Sequence, residues 1–215
     1  DTNLFVSLTL LQTLHLSGNQ LSVLDAKLFA SLRALQVLDL TENQLRVLDA
    51  TLFATLTALQ ALWLNSNQLS VLANPELFAS LTELLRLKLY DNELSALDSK
   101  LFASLSELHE LDLANNQLSV LDAELFASLT TLQKLYLYNN QLSVLDNPQL
   151  FASLTKLQIL YLHSNQLSVL DAKLFTTLTA LQALWLYGNQ LRTLDAKLFT
   201  TLTTLQTLWV HDNQL

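Results

Sequence analysis

LQTLHLSGNQLSVLDAKLFASLRA, Leu11 to Ala34, decides the reading of this chain, because its 24 residues recur in register to the end. Copies begin at Leu11, Leu35, Leu59, Leu84, Leu108, Leu132, Leu157, Leu181 and Leu205. Each carries the frame L-x-x-L-x-L-x-x-N-x-L, with Val210 replacing one Leu. The eight complete copies continue as L-x(5 or 6)-L-F-x-x-L. Those at Leu59 and Leu132 run one residue longer, through Asn74-Pro75 and Asn147-Pro148. Residues 1–10 and 205–215 are partial copies. A fixed period in this range marks a solenoid, whose units bury their apolar faces only against their neighbours. One continuous domain over residues 1–215, without a linker, is therefore expected.

Numbering each copy from its first Leu, positions 3 to 7 alternate: Thr13 out, Leu14 in, His15 out, Leu16 in, Ser17 out. That is the period of a strand with one buried face. Repetition in every copy predicts strands lying side by side in a parallel sheet, with the rest of each copy as the long crossover that parallel pairing requires. Nine strands spaced about 4.8 Å apart would span about 38 Å. In the return half, Leu24 to Leu32, Asp25 reads as a helix N-cap. Its equivalents are Asp49, Asp98, Asp122, Asp146, Asp171 and Asp195; Ala73 interrupts the series. Asn74 and Asn147 precede prolines, which suit a first helical position. Leu28, Phe29 and Leu32 should then face inward, on about two turns of helix or on tighter 3₁₀ turns. One Phe per copy, from Phe5 to Phe199, predicts a buried stack, and truncating an interior member to Ala should cost about 3–5 kcal/mol.

The frame resembles the 24-residue class of the leucine-rich-repeat family, and the resemblance covers essentially the whole chain. It implies an α/β solenoid: a curved right-handed coil with a concave parallel β-sheet and short convex helices or 3₁₀ turns. It further implies that the Asn at position 9, from Asn19 to Asn213, turns inward to bond the backbone of adjacent coils. A buried amide at the point where the chain leaves the sheet needs such partners, and losing one should cost on the order of 1–3 kcal/mol. Extracellular members of this family usually carry Cys-rich caps. This chain has no Cys and no glycosylation sequon, which leans toward a reducing, cytoplasmic compartment. It starts inside one repeat and stops inside another, so a piece of a longer protein is expected.

Composition narrows the partners. Net charge is −8 with 14% charged residues and no Lys/Arg run, which argues against tracking a nucleic-acid backbone or an anionic membrane. No apolar run approaches the ~20 residues of a membrane span. No signal peptide or lipidation motif is present.

The copies differ mainly on the outward side of the strands, together with position 8. Position 14 is Leu in all eight complete copies, Leu24 to Leu194. Position 3 instead reads Thr13, Val37, Ala61, Arg86, Glu110, Lys134, Ile159, Ala183, Thr207. Position 5 reads His15, Asp39, Trp63, Lys88, Asp112, Tyr136, Tyr161, Trp185, Trp209. Position 7 reads Ser17, Thr41, Asn65, Tyr90, Ala114, Tyr138, His163, Tyr187, His211. Drift at exposed sites would scatter residue types. Here all three Trp and all five Tyr fall at positions 5 or 7, and exposed aromatics gathered on one face suggest a contact surface. Tyr136, Tyr161, Trp185 and Trp209 should form one row, and Tyr138, His163, Tyr187 and His211 a second beside it. The central Arg86–Glu110–Lys134 and Lys88–Asp112 series alternate in sign. They read as surface pairs worth about 0–1 kcal/mol each, or as a rim that orients a charged partner. With Trp63 and Tyr90 they make a secondary set.

No catalytic constellation emerges. His15 beside Asp39 lacks a nucleophile. His163 and His211 stand two repeats, roughly 10 Å, apart, too far to share a zinc ion. His109 reads as a polar surface substitution. Gly18 and Gly188 cradle no phosphate, and single carboxylates one repeat apart supply too few ligands for calcium. Neither metal, cofactor nor enzymatic activity is expected. The chain reads as a module recognising a protein or peptide on its concave face. The resemblance places it in a larger receptor, or in a Roco-type GTPase whose enzymatic part lies elsewhere. The alternatives are a structural spacer that self-associates end to end and a carbohydrate-binding surface.

Overall fold

A computed structural model describes residues 3–215. Thirteen short strands occur in this range. They are β1 (Thr13–His15), β2 (Val37–Asp39), β3 (Ala61–Trp63), β4 (Val71–Leu72), β5 (Arg86–Lys88), β6 (Ala96–Leu97) and β7 (Glu110–Asp112). They continue with β8 (Lys134–Tyr136), β9 (Val144–Leu145), β10 (Ile159–Tyr161), β11 (Val169–Leu170), β12 (Ala183–Trp185) and β13 (Thr207–Trp209). One three-residue strand from each copy joins a nine-stranded parallel sheet in the order β1-β2-β3-β5-β7-β8-β10-β12-β13. Register follows the repeat: Leu14 lies beside Leu38, and Tyr161 beside Trp185. Alternation sends the central Leu of each strand inward, and from Leu38 to Leu184 these residues are fully buried.

Leucines from both halves of every coil fill one continuous core, with the phenylalanines at its centre. Phe29 through Phe175 have no exposed surface. Phe78 and Phe102 stack with centroids 6.4 Å apart and planes 9° apart, and Phe126 and Phe151 stack at 6.1 Å. The position-9 amides tie coil to coil. Asn43 Nδ2 donates to the Leu16 carbonyl of the preceding coil at 2.9 Å and to Leu40 and Thr41 of its own. Its Oδ1 accepts from the Leu21 amide at 3.0 Å. The pattern repeats down the ladder to Asn213. Asn19 makes only the bonds within its own coil among the described residues.

The convex side takes the tighter of the two expected forms. Amides bond three residues back, as in Leu28 to Asp25 and Leu32 to Phe29, so the return half is a series of turns. Two stretches, Pro75–Phe78 and Ala196–Phe199, register as 3₁₀ helices, and no α-helix occurs among the described residues. A single Asx bond per coil starts each turn: Asp25 Oδ1 accepts from the Lys27 amide at 2.8 Å. The longer copies correct one expected cap. There Asn74 and Asn147 accept from Glu76 and Gln149, because the added residue moves the capping role one place beyond Ala73 and Asp146.

That added residue accompanies a feature the repeat frame does not announce. Beside each longer copy the flank forms a two-residue parallel ladder, β4 with β6 and β9 with β11. Position 8 is likewise unforeseen. All nine residues there, from Gly18 to Asp212, have φ between 51° and 66°. This left-handed turn takes the chain off the sheet, and Gly18 and Gly188 belong to it.

Candidate functional site

Because residues two apart on a strand share a face, the sheet sets positions 3, 5 and 7 of every coil on its concave surface. At its C-terminal end the structure brings the two aromatic rows together as ladders. Tyr161 and Trp185 stack at 3.8 Å with planes 8° apart, and Trp185 and Trp209 at 4.3 Å and 2°. Tyr136 meets Tyr161 at 5.3 Å but tilted by 56°. In the second row Tyr138–His163, His163–Tyr187 and Tyr187–His211 are 4.5, 4.4 and 4.6 Å apart, with planes within 14°. The rows touch obliquely, as in His163 against Trp185 at 5.5 Å. Parallel rings stacked along the row cover each other's faces. Their edges and the tyrosine hydroxyls are what remain for a partner.

Burial within this array changes the chemistry of its members. Clasped between two tyrosines, His163 is 7% exposed, and desolvation pulls its imidazole down to about 4. It is therefore neutral at physiological pH. Burial, with the Glu110 charge next, pushes the Tyr136 hydroxyl up to about 12. Buried polar side chains are normally partnered. Among the described residues the exceptions are Trp63 Nε1, His163 Nδ1 and Trp185 Nε1, and all lie at positions 5 or 7.

The rest of the face is polar. Lys134 pairs with Glu110 at 3.7 Å, whereas Lys88 lies 5.5 Å from the centre of the Trp63 ring and makes no ion pair with Asp112. Arg86 is exposed and likewise has no ion pair among the described residues. Two aspartates at position 5 differ sharply. Asp39 is held by His15 Nδ1 at 3.1 Å and the Thr41 amide at 2.9 Å. Burial raises its carboxyl, but hydrogen bonds from the Thr41 hydroxyl and amide, His15 and Ser17 outweigh that and hold it below the usual range. Asp112 accepts from the Ala114 amide at 3.0 Å and from no other donor among the described residues. Burial pushes its carboxyl up to about 6, and Glu110 and Asp91 add to the rise against the Ala114 amide and Lys88. Ala114, not among the expected site residues, is the one small side chain between Tyr90 and Tyr138.

A cavity of about 480 Å³ lies away from the rings, on the flank between the first two complete copies, lined by Val23, Val47, Arg46 and Gln68 among others. Its walls combine residues shared by most copies, such as Val23 and Gln44, with Arg46, where most copies have Ser. Among the described residues no group of three or more His, Asp or Glu side chains is placed to hold a metal ion.

The family model described as "Leucine rich repeat" matches residues 9–69, 71–118, 106–167 and 155–215. None of the curated proteins matches the chain. Among solved structures it is similar to the TLR13–ssRNA13 complex, with 33% identity and a TM-score of 0.90, covering 97% of this chain and 30% of that one. It is similar to a chain of the octameric complex of Latrophilin 3, Unc5D and FLRT2, at 27% identity and 0.86, covering 95% and 62%. It also resembles the Toll–Spatzle complex of Drosophila, at 28% identity and 0.88, covering 99% and 30%. The chain thus spans less than two thirds of each of these proteins.

Proposed function

The chain belongs to the leucine-rich-repeat family, and from that premise we propose that its concave face binds a protein or peptide through the Tyr136–Trp209 and Tyr138–His211 rows. The observation that carries this reading is the pair of stacked ladders on an otherwise uniform scaffold. Tyr and Trp bury large areas with few torsions to freeze. Stacking has already removed much of that freedom, which lowers the ordering cost of association.

Ring orientation separates this reading from its rivals. Sugars and nucleic-acid bases recognise aromatics by lying on ring faces. Within the ladders the interior faces are occupied, only end faces such as those of Tyr138 and Trp209 stay open, and the electropositive edges point to peptide carbonyls and carboxylates. The net charge of −8 also disfavours an RNA partner, although one similar structure holds single-stranded RNA. Similarity to a complex of Toll with Spatzle supports a sensing segment in a larger receptor. The Roco-type alternative rests on the repeat pattern alone.

To test the proposal, peptide and small-protein display libraries would be panned against the chain and the binders measured on variants. Trp185→Ala with Tyr161→Ala should weaken binding at least about tenfold, with the β-sheet circular dichroism intact. Lys27→Ala on the convex side should leave it unchanged. Equal binding by all three proteins would eliminate the concave ladders. Saturable signal on a glycan array would favour the carbohydrate reading. Concentration-dependent sedimentation without any binder would favour the spacer.

A further inference from the structure

We propose that Tyr90, Ala114, Tyr138 and Asp112 form a slot for one arginine side chain of the partner. This rests on the concave-face reading and names the chemistry one part of that face selects.

The second row supplies its own template. Tyr138, His163 and Tyr187 occupy position 7 of three consecutive coils, and the flat imidazole sits between two tyrosine rings at 4.5 and 4.4 Å. Tyr90, Ala114 and Tyr138 occupy the same position of the three coils ending where that triplet begins. The outer tyrosines recur, but the middle ring is replaced by a methyl. No ring contact joins Tyr90 to Tyr138 across the gap. Ala114 is fully buried, so the neighbouring side chains already lean over the methyl. An incoming group must therefore part these side chains to take the place that His163 fills in the neighbouring triplet.

Asp112 decides the charge of that group. It projects two residues before Ala114, on the same face, and is bonded to the Ala114 amide. Its nearest basic neighbour in register, Lys88, is turned toward Trp63. The carboxylate is consequently half-buried without an ion pair among the described residues. A desolvated, unpaired carboxylate is unfavourable, and an incoming cation relieves it. The contrast with Asp39, at the same position with donors from His15 and Thr41, shows that this scaffold can satisfy such a carboxylate. Around Asp112 the backbone donor is kept by Ala114, but Lys88 stands in place of His15 and is turned toward Trp63, and the Thr41 hydroxyl is replaced by the Ala114 methyl. The raised carboxyl of Asp112 and the raised hydroxyls of Tyr90 and Tyr138, each driven first by burial, agree with a dry slot carrying excess negative charge.

A guanidinium fits both demands. It is planar, stacks on aromatic faces, and forms a fork that matches a carboxylate. Lysine supplies the charge without the plane. One carboxylate is too few ligands for a metal ion.

Peptides recovered by random display against the chain would be resynthesised with each Arg replaced by Lys or by citrulline, its neutral planar analogue. One Arg should dominate: Arg→citrulline should weaken binding at least about tenfold, with Arg→Lys intermediate. On the isosteric variant Asp112→Asn the Arg and citrulline peptides should bind alike. Ala114→His, which places the chain's own ring in the slot, should abolish the same preference with Asp112 intact. Binders that require Trp185 yet tolerate citrulline throughout would overturn the slot and leave the concave-face reading standing. Failure to recover any Trp185-dependent peptide would overturn both.

Discussion

At position 8 each coil must turn left-handed, and only Gly18 and Gly188 do so without a side chain in the way. Glu42, at φ 53°, holds this conformation with none of the local hydrogen-bonding advantage of Asn or Asp. Glu42→Gly should therefore raise the urea midpoint by an amount equivalent to about 0.5–1 kcal/mol. Asn139→Gly, at the same position, should give little or no gain. His163 makes a second prediction. Its folded-state imidazole is depressed to about 4 from an ordinary 6.5, so between those values the unfolded chain binds a proton that the folded chain refuses. The stability it confers is complete above pH 6.5 and is lost as pH falls toward 4. Wild type should lose on the order of 1–3 kcal/mol across that window. His163→Phe should show a flatter profile over the same range by thermal denaturation. A profile unchanged by the substitution would mean the imidazole is solvated.

The strand, the turn and the amide ladder make up one coil, and the ladder is what makes neighbouring coils cooperative. Asn116 donates to Leu89 of the preceding coil and to Leu113 and Ala114 of its own, and accepts from Leu94. Asn116→Ala would strand these buried groups and should cost about 1–3 kcal/mol in a denaturant titration. Asn19→Ala, at a site with only local bonds, should cost less than about 1 kcal/mol. Strands and core were legible in the sequence because Leu14-type and Leu16-type positions recur in every copy and alternate with positions whose residues vary. The form of the return half was not. An Asp that caps a helix also opens a 3₁₀ turn, and Leu28, Phe29 and Leu32 face inward in either. The ladders β4–β6 and β9–β11 are two residues long, too short to leave any periodicity. Position 8 did carry a signal, since Gly, Asn, Asp and Ser fill eight of its nine places, a composition typical of turns with positive φ.

Across the whole molecule, identical leucines and phenylalanines support faces that change from coil to coil. The aromatic rows were legible because parallel register converts a repeat position into a line on the surface. Their stacking was not, since ring planes depend on side-chain torsions that a repeat frame leaves open. Nor was the Asp112–Ala114 slot, which exists only through the absence of a ring where neighbouring coils have one. A rival surface is present: Val23, Val47 and Val120 are 82%, 76% and 77% exposed along the flank. Copying has kept that valine row nearly constant, as expected of scaffold, whereas the concave rows diverge. Hydroxyl-radical footprinting of the chain, alone and with a displayed-library peptide bound, separates the two faces directly. Protection should fall on Tyr161, Trp185, Tyr187 and Trp209, with the flank valines oxidised as before. Protection of Val23, Val47 and Val120 with the concave rings unchanged would contradict the account.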